Sequence, residues 1–583
     1  MAMLRWRRAP KLALGVALGL GAWAAIPAAL AGQPDAAASL SPSKGAGAPA
    51  ALDVGRTVQG RVPMGGTQVF SLDVPAGYVV QGEFHGRNAV LDLQDENGAH
   101  VRRLGRADTT AQEWMWVASK VPQRLAVRQA GGVPGTFELH LSRTMAPRAA
   151  PAGGETPKLE SPRLRALQQA MAAGASTGAF WEEMARAGTP LVEPLPDGES
   201  LVTFLWRGEG DNVRLFGSPS GNHDPMRRLD DSDVWWATFR MPDTARLSYR
   251  IAPDVPRVQG SAMDQRRVIL ATAQRDPLNP HVFPDTEDTR IDVYQGSSVL
   301  TLPDAPPQPW VARRAERATG TLARHELDSA VLGNRRDIWV YRPEAPEALL
   351  VLFDAHAYVE QVPTPAIVDN LMAEGLIPST AVVLIGNAGP EARGRELPPN
   401  EPFARFLDEE FMPWVESQGL AQPPSRTVIA GSSYGGLASA YAGLRSPHRF
   451  GNVLSLSGSY WWSPDGEIPG WMMRQYAKEP ARQLRFYLDA GRYEAGRGGR
   501  DGILETSRHL GDVLRAKGYA VTQVEHDAGH DYLHWQGSLG CGLVALLNPA
   551  VYESGLPSCA QDVAKRDRSR ALPASGPANS AGQ

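Results

Sequence analysis

The run Gly-Ser-Ser-Tyr-Gly-Gly at residues 431–436 contains the pattern Gly-x-Ser-x-Gly, with Ser433 at its centre. The mostly apolar residues 426–430 predict a buried strand before it, and the small residues 437–444 predict a helix after it. A strand, this pattern and a helix in succession are the context of a nucleophile elbow, a turn that holds a serine hydroxyl clear of a sheet. We expect the glycines two positions either side of Ser433 to be required, because a β-carbon there would clash with neighbouring backbone.

The elbow predicts further parts of a catalytic site. The backbone N–H of Tyr434 and the N-terminus of the following helix point at the charge that develops on an attacked carbonyl. A serine needs a base, and chains with this elbow place an acid and then a histidine downstream. His530 fits the base because it follows a glycine in a predicted loop after the strand-like run 519–524.

The acid is expected just after a strand that lies between Ser433 and His530 in the chain. Residues 484–488 form that strand-like run, and Glu494 lies a few residues beyond it. We therefore predict Glu494 as the residue that orients His530. Asp501 and Asp489 remain weaker alternatives.

Three histidines near the C-terminus permit a second interpretation. His526, His530 and His534 are spaced by four, which on a helix would place three imidazoles on one face, as a zinc site could use. Gly529 interrupts the run and a strand precedes it, so a loop is favoured. We predict no metal and no cofactor.

Several other stretches share a pattern with one known family. They are Phe180-Trp181, Gly188 to Val192, Val202 to Arg207, Asp276 to Pro280, Arg449 to Gly451, Leu454 to Trp462, and Ala528 to Asp531 with Trp535. Together with the elbow, over roughly residues 159–547, they resemble the enterochelin (enterobactin) esterases. The resemblance implies an α/β-hydrolase serine esterase of the esterase D type, and a second oxyanion donor near Ala355 and His356.

The resemblance also implies a substrate, a ferric tris-catecholate with three negative charges, for which fixed cations are expected. Arginine keeps its charge and stacks on aromatic rings, which suits this task. Loops near the predicted site carry Arg393 and Arg395, and further along Arg492 with Arg497 and Arg500; a solvated loop is the alternative for each of them. The predicted substrate-binding residues are Arg393, Arg395, Arg492, Tyr460 and Trp461.

Composition and the chain ends limit the class of protein. With 583 residues the chain should form about three domains. A net charge of −4 gives no general field for nucleic acid. Basic residues at 5–11, an apolar stretch at 12–26 and Ala29-Leu30-Ala31 resemble a cleaved signal peptide, which predicts a periplasmic or secreted enzyme with no remaining membrane span. The two cysteines, Cys541 and Cys559, are expected to form a disulfide in such a compartment.

The predicted architecture is an α/β-hydrolase catalytic domain preceded by two β-sandwich domains. Alternating apolar residues at 70–74 and 137–141, with an Asn97-Gly98 turn, indicate the first sandwich, whose partner the sequence does not identify. The expected boundaries are 1–31 signal peptide, 32–51 flexible leader, 52–143 first β-sandwich, 144–157 linker, 158–302 second β-sandwich, 303–315 linker, 316–560 catalytic domain and 561–583 disordered tail.

The favoured function is that of an exported serine esterase that opens the ester bonds of a catecholate siderophore, a small-molecule substrate. One alternative is an esterase of the same mechanism that acts on another aromatic ester, such as a feruloyl ester. The other is a siderophore-binding protein without activity.

Overall fold

A computed structural model describes residues 38–39, 49–108, 112–148, 158–217, 219–221, 223–389 and 391–559 of the protein. The predicted signal peptide (1–31) and the predicted tail (561–583) lie outside these residues. Within the described part of the chain, no helix is both long enough and apolar enough to cross a membrane.

The first part of the described chain consists of two five-stranded sheets around one core. In spatial order the strands are Ala38–Ser39, Thr57–Val62, Gly135–Met145, Val79–Arg87 and Gln112–Val117 in one sheet, and Ala50–Ala51, Thr67–Ser71, Gln123–Gln129, Ala89–Asp95 and His100–Gly105 in the other. The alternation predicted at 137–141 is confirmed, since Phe137, Leu139 and Leu141 are buried between the sheets. The turn predicted at Asn97-Gly98 joins Ala89–Asp95 to His100–Gly105, with Gly98 at φ +86°.

A second part begins with two helices, Pro162–Ala172 and Gly178–Ala187, and continues into two further sheets. One sheet contains Leu191–Leu195, Glu199–Arg207, Val234–Pro242 and Arg227–Arg228; the other contains Asp224–Pro225, Val213–Phe216, Arg246–Pro253, Ser297–Thr301 and Val282–Phe283. Helices Ala262–Thr272 and Glu287–Ile291 lie between these strands in the chain. Phe204 and Tyr249 join the two sheets in the core, with ring centroids 4.7 Å apart.

The third part is built on one eight-stranded sheet. Its strands are β1 (Thr321–Ser329), β2 (Asn334–Arg342), β3 (Ala348–Phe353), β4 (Thr380–Ile385), β5 (Thr427–Ser432), β6 (Asn452–Leu456), β7 (Arg485–Gly491) and β8 (Ala520–His526). Their spatial order is β1-β2-β4-β3-β5-β6-β7-β8; β1 with β2 and β2 with β4 pair antiparallel, and all other neighbours pair parallel.

Helices cover both faces of this sheet. They are Ala355–Glu360, Thr364–Ala373, Ala392–Glu396, Glu401–Arg405, Met412–Ser417, Tyr434–Arg445, Trp471–Lys478, Ile503–Ala516, Tyr532–Leu547 and Pro549–Glu553, with a π-helical segment at Phe406–Phe411 and short 3₁₀ turns at Ala315–Arg317, Pro424–Arg426 and Arg492–Glu494. A separate hydrophobic core fills each face, because strands buried on both sides present apolar residues in both directions. Cys541, in the longest helix, is joined to Cys559 by a disulfide.

Candidate active site

Ser433 lies in a strained turn between β5 and the Tyr434–Arg445 helix. Its backbone angles, φ 59° and ψ −120°, fall in a region that residues with a β-carbon rarely adopt. The Ser433 N–H donates to the Leu456 carbonyl of neighbouring β6 at 2.9 Å, which fixes the turn against the sheet. The hydroxyl is thereby presented at the carboxyl end of the central strands, where open α/β sheets bind their ligands.

Two glycines make this turn possible. A β-carbon at Gly431 would lie 2.6 Å from the Gly435 carbonyl carbon, and one at Gly436 would lie 2.6 Å from Ser455 Oγ. At Gly435 the nearest atoms would be 3.5 Å away, an ordinary contact. The requirement predicted two residues before Ser433 is therefore confirmed. The one predicted at Gly435 is wrong, and the close contact lies instead at Gly436, where the helix packs against Ser455 of β6.

His530 and Glu494 are in direct contact. His530 Nδ1 lies 2.5 Å from Glu494 Oε1, and the Glu494 side chain is 3% exposed. Glu494 also accepts hydrogen bonds from the Gly491 N–H at 2.6 Å and from Ser457 Oγ at 2.8 Å. Ser457 accepts in turn from the indole of Trp535 at 3.0 Å. Two donors besides the imidazole therefore hold this carboxylate, and Trp535 fixes one of them.

The two alternative acids have other neighbours. Asp489 is buried and contacts His534 and His526 rather than His530. Asp501 is exposed and makes no side-chain hydrogen bond to His530 in the described residues. Among the three carboxylates that the sequence proposed, Glu494 is the one that the fold brings to the base.

Ser433 and His530 meet at the same edge of the sheet without a direct hydrogen bond among the described residues. Ser433 Oγ instead lies 3.3 Å from Ser459 Oγ, and the His530 side chain is 41% exposed. The imidazole packs edge-on against Trp535, with centroids 4.8 Å apart. Catalytic hydrogen bonds are commonly loose in a ligand-free site and tighten when substrate binds.

Two helix N-termini converge beside Ser433. Tyr434 and Ala355 are the first residues of their helices, where backbone N–H groups have no acceptor within the helix. Phe353 and Asp354, just before Ala355, are within 3.5 Å of the position of a β-carbon at Gly435. The His356 side chain turns outward instead, against Trp339 and Glu360, so only its backbone is available to the site.

The arginines predicted to bind substrate are paired with acids. Arg393 makes a bidentate ion pair with Asp354, at 2.7 and 2.8 Å, which raises the pKa of the Arg393 guanidinium although burial opposes its charge. Arg492 Nη1 lies 2.8 Å from Asp527 Oδ1. Arg395 is mostly exposed and lies 3.4 Å from Glu396. A salt-bridged cation attracts an anionic ligand less than an unpaired one, and the substrate-binding role of these three arginines stays a prediction.

The two predicted aromatic residues differ in accessibility. Trp461 is 41% exposed, and its ring lies 6.1 Å from that of Tyr434, next to the nucleophile. Tyr460 requires a correction: its ring is 1% exposed and its hydroxyl donates to Ser455 Oγ at 2.6 Å. Tyr460 and Trp461 lie in a turn after β6, and of the two rings only that of Trp461 is exposed.

A second group of arginines lies near His530, and one of them comes from the preceding domain. A cavity of about 440 Å³ opens there between the Phe216–Gly221 region and the loop after β7, with His530 in its wall. Arg266, Arg497 and Arg500 line it, and all three are exposed. Burial and then the charges of Arg266 and Arg214 lower the pKa of His223, which lies among them. Three carboxylates also line the cavity: Glu494 is buried against His530, Asp531 is hydrogen-bonded to Ser248, and Asp501 is exposed. Its exposed charges are thus three arginines and one carboxylate, and we call it the cationic cavity.

The arginines of the cavity are held by aromatic and backbone contacts. The Arg266 guanidinium lies over the Phe216 ring at 5.5 Å and contacts His223 Nε2 at 3.2 Å. Arg497 reaches across from the catalytic domain, since a β-carbon at Gly221 would lie 2.3 Å from its Nη2. Sequence reasoning named Arg497 and Arg500 as loop residues but missed Arg266, which precedes Ser433 by more than 160 positions and carries no local signal.

The preceding domain also holds the loop that carries His530. Asp531 Oδ2 accepts hydrogen bonds from the Ser248 N–H at 2.9 Å and from the Ser248 hydroxyl at 3.1 Å. Asp527 Oδ2 accepts from Thr244 Oγ1 at 2.6 Å, and the Asp527 carbonyl accepts from the Arg246 N–H at 3.1 Å. The base is therefore positioned from two domains.

Comparison with known proteins agrees with this arrangement. Residues 201–311 match the family model described as enterochelin esterase, N-terminal, and residues 329–546 match the model described as putative esterase. An iron(III) enterobactin esterase of Dickeya dadantii is 30% identical over 442 residues, which cover 69% of this chain and 97% of that protein. The chain belongs to the enterochelin esterase family. It is a carboxylic ester hydrolase.

Other family members give the same picture. The iron(III) enterobactin esterase of Escherichia coli K12 is 29% identical over 397 residues, 62% of this chain and 95% of that protein. A crystal structure of the enterobactin esterase of Shigella flexneri, in the presence of enterobactin, is 28% identical, with a TM-score of 0.52 over 64% of this chain and 99% of that chain. The esterase-family fold thus extends over both the cationic cavity and the Ser433 elbow. The two sheets formed by residues 50–145 precede the residues matched by either family model.

Proposed function

We propose that this chain is a serine esterase that hydrolyses the ester bonds of a ferric catecholate siderophore of the enterobactin type. The observation that carries the proposal is the Glu494–His530 pair at the same sheet edge as the Ser433 elbow, in a family whose curated members include iron(III) enterobactin esterases. These relatives are matched over almost their whole length.

The proposed reaction proceeds through an acyl-enzyme. Glu494 accepts the Nδ1–H of His530, which leaves Nε2 with a lone pair to take the proton of Ser433. Ser433 Oγ then bonds to the ester carbonyl carbon. The resulting oxyanion accepts hydrogen bonds from the backbone N–H groups of Tyr434 and Ala355. His530 gives the proton to the departing alcohol as the ester C–O bond breaks. A water molecule then attacks the acyl-enzyme in the same way, with His530 taking its proton, and the carboxylic acid product leaves Ser433.

The cationic cavity supports an anionic substrate. A ferric tris-catecholate carries three negative charges, and the cavity whose wall contains His530 exposes three arginines, Arg266, Arg497 and Arg500, against one exposed carboxylate, Asp501. Exposed Trp461 and the partly buried Tyr434 add aromatic surface next to Ser433. A neutral feruloyl-type ester makes no use of this charge, so the siderophore is the better fit.

We further infer an exported enzyme with two β-sandwich domains ahead of an α/β-hydrolase domain, acting in the periplasm. The signal-like residues 5–31 and the Cys541–Cys559 disulfide support export, because disulfides persist in oxidising compartments. The paired sheets around shared cores support the domain layout. Amino-terminal sequencing of protein recovered from the periplasm tests the export, and a mature chain that starts near Gly32 is expected.

A reactive probe tests the nucleophile directly. A fluorophosphonate is expected to label the wild-type chain at Ser433 and to leave Ser433→Ala unlabelled. Ser459→Ala is the matched control, because Ser459 carries the hydroxyl that contacts Ser433 Oγ and should not react itself. Peptide mapping that places the label on Ser459 would assign the nucleophile elsewhere.

The substrate preference has its own test. Replacing Arg266 and Arg497 together by Gln is expected to raise KM for ferric enterobactin and to change KM for a neutral aryl ester little. This rise in KM should be smaller at high salt. Salt screens charges over about 10 Å at 0.1 M, so the wild-type arginines then attract the anionic substrate less as well. Equal losses on both substrates would show that the arginines support the fold rather than the charge of the ligand.

A further inference from the structure

Three side chains that the proposed reaction does not use converge beneath the loop of His530. Asp489 lies near the end of β7, His526 is the last residue of β8, and His534 lies in the first turn of the Tyr532–Leu547 helix. One ligand atom from each residue lies within 4.8 Å of the other two. The side chains of Asp489, His526 and His534 are 0%, 14% and 8% exposed.

The two distances from Asp489 to the imidazoles match the edges of a metal coordination shell. Asp489 Oδ2 lies 3.2 Å from His526 Nε2 and 3.1 Å from His534 Nε2. Four ligands placed tetrahedrally at about 2.0–2.1 Å from Zn²⁺ are separated by roughly 3.3 Å. Two imidazole nitrogens and one carboxylate oxygen are also a donor set that zinc prefers.

A hydrogen-bonded network explains the cluster less completely. Asp489 Oδ2 already accepts a short hydrogen bond from Ser538 Oγ, besides its contact with His534. His526 Nε2 is buried and lies 3.2 Å from the same carboxylate, and this contact is at most a poorly aligned hydrogen bond. A buried ring nitrogen without a well-aligned hydrogen bond is costly, and a metal ion would satisfy it.

We propose that Asp489, His526 and His534 bind a zinc ion, with a water as the fourth ligand. Cys541 and Cys559, joined in their disulfide, provide no thiolate to compete for the ion. Ser538 would act from outside the coordination shell, fixing the Asp489 carboxylate as partners of metal ligands usually do.

The zinc site would affect the proposed reaction by fixing the position of His530. His526 and His534 stand at the two ends of the segment 527–533 that carries His530, and Asp489 anchors both to β7, the strand that precedes Glu494. The ion would therefore close this loop at its base and set the distance from His530 to Ser433. This consequence rests on the proposed esterase function, whereas zinc binding itself does not.

The decisive measurement is the metal content of the full-length mature protein. After exposure to Zn²⁺ and gel filtration, elemental analysis is expected to find about one zinc per chain, and Zn²⁺ should raise the Tm. His526→Gln and His534→Gln should each lose the bound zinc and the Tm response. His509→Gln, at an exposed histidine of the Ile503–Ala516 helix, is the matched control and should keep both. Zinc retained equally by all four proteins, or absent from the wild type, would overturn the proposal.

Two further readouts keep the test independent of folding and of esterase activity. If circular dichroism shows that a variant does not fold, the wild-type protein loaded with Co²⁺ provides the test. Co²⁺ in a tetrahedral site absorbs strongly in the visible range, and a protein without this absorption would refute the site. Removal of zinc from wild-type protein should lower kcat with little change in KM. A protein that binds zinc but never hydrolyses the siderophore would contradict the proposed function and leave the metal site standing.

Discussion

The Ser433 elbow and the His530 loop lie at one edge of the same sheet, yet they are held in different ways. The elbow is fixed by close neighbours in sequence and by adjacent strands: Gly431, Gly436 and the carbonyl of Leu456. The loop takes its position from the second domain, through Ser248 and the Thr244–Arg246 segment, and from β7 beneath it. The position of Ser433 is thus fixed locally, whereas that of His530 depends on domain packing.

Because the two are held differently, different substitutions should disturb each of them. Changes within the elbow should act on the nucleophile and on the stability of the catalytic domain together. Changes at the domain boundary should act on kcat through His530 while the elbow stays reactive. The following predictions separate the two cases.

Ser433→Ala has the largest expected effect. Loss of the nucleophile should lower kcat by about 10⁶-fold, with KM for the ferric siderophore nearly unchanged because the cationic cavity remains. The double variant with His530→Ala should be little worse than either single variant, since such residues act as a unit. Single-turnover product analysis measures this, and substantial turnover by Ser433→Ala would refute the assignment.

Glu494→Gln comes next. The amide cannot stabilise the imidazolium and favours the wrong tautomer of His530, so kcat should fall by about 10⁴-fold with little change in KM. Asp501→Asn is the control, because Asp501 makes no side-chain hydrogen bond to His530 in the described residues, and its kcat should stay near that of the wild type. The reverse result would transfer the role to Asp501.

Two neighbouring glycines sharpen the account of the elbow. Gly436→Ala should destabilise the protein by about 1–3 kcal/mol and impair activity, because the added methyl would lie 2.6 Å from Ser455 Oγ. Gly435→Ala should be tolerated or slightly stabilising, since its methyl meets nothing closer than 3.5 Å and alanine suits a helix. Thermal unfolding of both variants decides; equal losses would show that the turn tolerates no side chain at either position.

The smallest expected effect tests the domain boundary. Thr244→Val removes the hydrogen bond to Asp527 and should lower kcat by less than about tenfold, with KM unchanged, since Asp527 keeps its contacts with the Arg246 N–H and with Arg492. Ser200→Ala is the control, because the 2.7 Å bond from Ser200 to Asp243 lies within the second domain. A fall in kcat common to both variants would indicate a general loss of stability.

The strands of the catalytic sheet were largely predictable from the sequence. The apolar runs at 349–353, 381–385 and 427–430 are strands, because central parallel strands are buried on both faces. Strand β1 carried no such signal: at the sheet edge its first four residues are all exposed, and only Ser329 at its end is buried. Edge strands avoid long apolar surfaces, so hydrophobic periodicity does not reveal them.

The substrate-binding arginines were the least predictable part of the site. Arg393 and Arg492 lie in loops at the expected edge, but Asp354 and Asp527 neutralise them, and such pairs form between residues far apart in the chain. Arg266 lies on a different domain altogether. Sequence position places an arginine in a loop without telling which carboxylate it meets.

The sequence by itself determined the elbow, the Glu494 and His530 candidates and the family, because these depend on short patterns whose geometry is set by backbone sterics and strand order. Only the tertiary structure decided that Glu494 rather than Asp489 contacts the base, that Tyr460 is buried while Trp461 is exposed, and which arginines line the cavity. Those choices depend on how two domains and two faces of a sheet pack. Packing brings together residues that the chain separates by hundreds of positions.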